Sequence, residues 1–107
     1  MSHMNKTTKK LDNNIVKALT IVCERAKVEI PEFLWLTHSA DFSNFPSSLL
    51  VSCVFTSNQA VHCLKQNKQD IVLIKWIQAE LLKVGILLKQ AKHNVAFINE
   101  SEGENLL

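Results

Sequence analysis

Gln69–Gly85 (QDIVLIKWIQAELLKVG) is the longest strongly periodic stretch of the chain, and its reading decides the fold. Leu73, Ile74, Ile77, Leu81 and Val84 recur at helical spacing, so one face of a helix is apolar and predicted to bury. Asp70 suits the first turn, where a negative charge meets the helix dipole. Gly85 suits the position just past the end, where a left-handed backbone is needed. The other side carries a second stripe, Val72, Trp76, Ala79 and Lys83, with Lys75 beside it. A helix with two apolar stripes is sandwiched or touches a partner.

Working towards the N-terminus, Ser57 caps a predicted short helix over Asn58–Gln66, whose apolar side is Ala60, Val61 and Leu64. Lys65–Gln69 is a polar break between the two helices. Leu49–Phe55 (LLVSCVF) and Glu32–His38 (EFLWLTH) read as strands rich in β-branched and aromatic residues. In the second of these the large residues fall on both parities, which predicts two partly covered faces. Ser39–Ser48 joins the strands, with Phe42 and Phe45 placed to pin it against the core. Strands this close in sequence are simplest as an antiparallel pair. Asp12–Lys27 reads as the first helix, with Ile15, Val16, Leu19, Val22, Cys23 and Ala26 on its apolar face and Lys17, Ile21 and Glu24 pointing away. Asp12 is the expected N-cap, and the helix must stop before Pro31.

Towards the C-terminus, Ile86–Asn94 is irregular and Val95–Ile98 reads as a short closing strand. The predicted fold is α+β, a single two-layer domain over residues 11–98 in the order α-β-β-α-α-β, with a three-stranded sheet whose helices cover one face. If Phe33 or Trp35 points to the other face, something must cover it. Residues 1–10 are expected to be a cloning remnant (Met1–Met4) followed by a flexible basic arm, and residues 99–107 a solvated acidic tail.

Composition bounds the chemistry. At 107 residues and 47% hydrophobic, the chain is long enough for one modest core. No apolar run reaches the roughly 18–20 residues of a membrane span, and no charged-then-apolar leader opens the chain, so the expectation is cytoplasmic. Cys23, Cys53 and Cys63 contain no CxxC pair, and Cys23 and Cys53 are expected as reduced core residues. The only glycines are Gly85 and Gly103, which excludes glycine-rich phosphate loops and the GxSxG elbow. No nucleotide cofactor and no metal site is expected. His62-Cys63 are adjacent, so on a helix they point about 100° apart, and His38, Asp41 and His93 approach one another only through the fold. Catalytic pairings open to the sequence are Cys53 or Cys63 with His38 or His62, and His38 with Asp41 as acid and base, a pair whose simpler reading is a loop hydrogen bond.

Six lysines against Asp70 and Glu80 between Lys65 and Lys92 make this part of the chain mildly basic. Trp76, flanked by Lys75 and Lys83, has three open readings: it folds under the tail, the Phe42–Phe45 connection or the last strand; it is a dimer contact; or it stacks on a base. The leading expectation is a non-enzymatic binding or regulatory domain acting through protein–protein contacts as a homodimer, with Val72, Trp76, Ala79 and Lys83 at the interface. The alternative is nucleic-acid binding through Lys65, Lys68, Lys75, Trp76 and Lys83. A small-ligand pocket or Cys/His hydrolase between residues 39–48 and the helices is a third reading.

Two resemblances bear on these expectations. The strand–helix–helix–strand unit Leu49–Ile98 resembles the type II KH domain, a nucleic-acid-binding fold. That family places a GxxG loop between the two helices, where this chain has Lys65-Gln66-Asn67-Lys68, without glycine, so the usual backbone grip does not carry over. The segments Pro31–His38 and Phe45–Phe55 resemble a small uncharacterised proteobacterial family of about this length, some of whose members carry a Fis-type regulator label. That resemblance spans most of residues 11–98 and implies a bacterial cytosolic protein without indicating an activity. A Fis-type unit needs a C-terminal helix-turn-helix, whereas this chain ends in a predicted strand and three glutamates that would repel phosphates.

Overall fold

No glycine or proline falls between residues 6 and 30, and α1 runs unbroken over Lys6–Glu29 in the computed structural model, which describes residues 6–106. The helix therefore starts earlier than the sequence pattern suggested. Lys6–Lys10 form its first turns rather than a flexible arm, while Met1–Asn5 lie outside the described residues. Leu11, partly buried against the core, ties this extra length to the rest of the molecule. Asp12 is consequently not an N-cap but a mid-helix residue whose carboxylate meets a side chain from the sheet.

Two strands follow, β1 (Phe33–Ser39) and β2 (Leu50–Phe55), then α2 (Asn58–Gln66), α3 (Gln69–Lys83), β3 (Val95–Asn99) and α4 (Glu100–Glu104). Short 3-10 turns occupy Phe42–Asn44 and Ala91–His93. The three strands lie in the order β1-β2-β3, with β1 antiparallel and β3 parallel to β2. The element order and α+β class are those read from the sequence.

The register of β1 slips between Phe33 and Trp35, and this bulge resolves the mixed parity of EFLWLTH. Phe33 lies opposite Phe55 and Leu36 opposite Cys53, all on the helix-covered face. Trp35 lies opposite Val54 and turns to the other face. The Phe33 and Phe55 rings meet edge to face at 5.7 Å between centroids.

The core joins Ile15, Leu19, Val22 and Ala26 of α1, Val51, Cys53 and Phe55 of β2, and Leu73, Ile77 and Leu81 of α3, all buried. The α3 terminus is closed by Gly85 N–H to Leu82 O at 2.9 Å and Ile86 N–H to Leu81 O at 2.9 Å, the paired bonds of a Schellman cap, with Gly85 at φ 85°. The β1–β2 connection is pinned as expected, with Phe42 and Phe45 stacked at 5.4 Å and half-buried against the core.

The C-terminal residues differ from the solvated tail read from the sequence. Asn99 accepts the Glu102 N–H at 2.8 Å while the Glu102 carboxylate accepts the Asn99 N–H at 3.3 Å, a capping box that starts α4. This helix packs on β2 and β3, on the face opposite α1 and α3. Gly103 is its buried contact with Val54 and Trp35. The three main helices cover one face of the sheet, and α4 covers part of the other.

Candidate interaction site

The second stripe of α3 does not stand free. Trp76 is half-buried, and the Arg25 guanidinium of α1 lies over its ring at 4.0 Å from the centroid. Trp76 therefore packs beside α1, a neighbour the sequence pattern did not name. A cation over an indole face is favourable by about 0.5–1 kcal/mol where solvent reaches it.

The contact joins two helices whose flanking positions are apolar and exposed. On α1, Ile21 and Val28 stand four residues before and three after Arg25, and expose 52% and 85% of their surface. On α3, Val72 and Ala79 flank Trp76 at the same spacing and are also exposed. Positions three and four apart share a helix face, so Ile21 and Val28 lie on the side of α1 that carries Arg25, and Val72 and Ala79 on the side of α3 that carries Trp76, the two sides meeting at the Arg25–Trp76 contact. Charges of both signs border it: Arg25 pairs with Glu29 at 2.8 Å and Lys83 with Glu80 at 2.9 Å, and Lys17, Glu24 and Lys75 are exposed. Sequence reasoning named the α3 half and missed Ile21, Arg25 and Val28. The signal was present in their 21, 25, 28 spacing, outside the core stripe of α1.

The five residues of the nucleic-acid reading are not brought into one bare basic surface. Lys65 and Lys68 sit at the α2–α3 turn, where Lys68 adopts φ 60°. Lys75 is exposed on α3, Lys83 is paired, and one face of Trp76 is occupied by Arg25.

The catalytic pairings are not assembled either. His38 Nε2 lies 2.9 Å from Asp12 Oδ1 of α1, so its partner is Asp12 and not Asp41. Asp41 accepts the Ser43 hydroxyl at 2.6 Å and the Ser43 N–H at 3.0 Å, and these bonds hold its carboxyl below the usual carboxylate range. Cys53 is fully buried, and burial, aided by nearby Cys23, pushes its thiol up from 9.0 to about 12, far from a thiolate nucleophile. His62 and Cys63 are exposed neighbours on α2. Cys23 and His38 both line a cleft between α1 and β1. At ~1.5 Å per residue, however, Cys23 lies roughly 16 Å along α1 from the Asp12 that holds the imidazole. Among the described residues no three His, Cys, Asp or Glu side chains cluster as a metal site would need, and no helix is long and apolar enough to cross a membrane. Comparison with protein-family models, curated proteins and solved structures finds no match.

Proposed function

We propose that the chain is a small non-enzymatic bacterial binding domain that works as a homodimer through the outer face of α1 and α3. The observation that carries this reading is the Arg25–Trp76 contact, which sets the exposed apolar positions Ile21 and Val28 of α1 beside the helix face that carries Val72 and Ala79. Arg and Trp are enriched at interfaces, and a small domain gains stability by covering such a face. A two-fold interface must be complementary to itself. A border of mixed sign, Lys17, Arg25, Lys75 and Lys83 with Glu24, Glu29 and Glu80, is compatible with that requirement. The free thiols of Cys23, Cys53 and Cys63 fit the reducing bacterial cytoplasm.

Sedimentation velocity across concentration tests the reading. The expected result is a species of twice 12.1 kDa at tens of micromolar. Val28→Asp should return it to the monomer with an unchanged circular dichroism spectrum. A monomer throughout removes the proposal. Salt-sensitive binding of single-stranded oligonucleotides by that monomer would favour the KH-like nucleic-acid alternative instead.

A further inference from the structure

A cleft of about 740 Å³ opens beyond the end of α3, away from the Arg25–Trp76 contact. Three segments remote in sequence wall it: Phe45–Ser47 before β2, Gly85–Gln90 after α3, and His93–Asn94 before β3, with Leu11 of α1 alongside. Its size lies within the ~300–1,000 Å³ usual for small-molecule sites.

The walls are fixed from behind. The Asn94 side-chain amide donates to Leu49 O at 2.8 Å and reaches Ser47 O at 3.3 Å and Pro46 O at 3.4 Å, tying one wall to another. The opposite wall is set by the Schellman cap and by Gln78 Nε2 donating to Leu88 O at 3.1 Å. A cleft held by hydrogen bonds from its own backing is preformed for a ligand.

The lining divides by chemistry. Leu11 and Phe45, both half-buried, and the exposed Leu87 supply accessible apolar surface, while Ile86 and Leu88 are buried behind them. Among the described residues Lys89 and His93 are the ionisable groups of the lining, both exposed, and none of the lining residues is acidic. The ion pairs among the described residues involve neither of them. We infer that this cleft binds a small amphipathic carboxylate, its apolar body against Leu11, Phe45 and Leu87 and its carboxylate at Lys89 and His93. An ammonium can donate a charge-assisted hydrogen bond to a carboxylate, an imidazole N–H adds a second donor, and the absence of a lining acid leaves no competing acceptor charge.

The test uses the full chain, ¹⁵N-labelled, titrated with octanoate, 1-octanol and octylamine, which share one apolar body and differ in head group. Octanoate is expected to give saturable shifts at the amides of Ser47, Leu87–Gln90 and His93. It should bind about tenfold more tightly than the alcohol, the scale of one hydrogen bond to a charged group. The double variant Lys89→Gln/His93→Gln, altered only at exposed positions, should bind octanoate and octanol equally. Equal affinity for all three compounds in the unaltered chain would overturn the inference. So would shifts that fail to saturate, or shifts centred on Trp76 and Val28.

Discussion

A methyl group added to Gly103 would fall 2.8 Å from Val54 Cγ1 and 3.0 Å from Trp35 Cζ2, so α4 reaches the sheet only because residue 103 has no side chain. Gly103→Ala should cost about 1–3 kcal/mol, the range for overpacking a filled contact. Urea unfolding followed by circular dichroism gives the loss. Fluorescence of the same substitution in a Trp76→Phe background should show Trp35 becoming more solvent-exposed. Gly85→Ala provides a contrast, since nothing lies within 4 Å of the added carbon. Its penalty, about 1 kcal/mol, comes from φ 85° alone and should leave Trp35 unmoved.

Cys53 gives the fold an alkaline limit. Its thiol is pushed up to about 12 in the folded chain, while the unfolded chain releases the proton near 9.0. Between those values the unfolded state holds fewer protons, so its contribution to stability is complete below pH 9.0 and is lost as pH rises towards 12. The slope is on the order of 1.4 kcal/mol per pH unit. Urea midpoints measured from pH 8 to 10.5 should fall, and Cys53→Ala should flatten that fall. A thiol reagent at neutral pH should label exposed Cys63 first and Cys53 only on unfolding.

Asn94 is a buried polar residue whose amide serves the carbonyls of Leu49, Ser47 and Pro46 at once. Asn94→Leu would remove the donor of the buried bond to Leu49 O, while Pro46 O keeps the Leu49 N–H, at a cost of about 1–3 kcal/mol. Faster hydrogen exchange in Ser47–Leu50, with α1 unchanged, would locate the loss in the β1–β2 connection.

The two stripes of α3 should separate by substitution. Leu73 is fully buried, and Leu73→Ala should cost about 2–5 kcal/mol at any protein concentration. Trp76→Ala should cost less in the isolated chain and should abolish the concentration-dependent association of the proposed dimer. Sedimentation combined with urea unfolding distinguishes the two effects.

The sequence by itself determined the element order, the buried stripe of α3 and the glycine that ends it. These follow from local periodicity and backbone preference, which a few adjacent residues carry. The Ser57 cap and the two-strand pairing were legible for the same reason. The Asn99–Glu102 capping box was also present in the chain, but its acidic composition read as a solvated tail because the covering role of Gly103 depends on Val54 and Trp35, about fifty and seventy residues away. Only the tertiary structure decided which face each residue of β1 occupies, because one bulged residue reverses the alternation. It alone gave His38 to Asp12 and Trp76 to Arg25, contacts whose partners are set by how α1 lies against the sheet and α3. The proposed interface and the carboxylate cleft share that origin: each joins segments remote along the chain, and local periodicity carries no information about which remote segments meet.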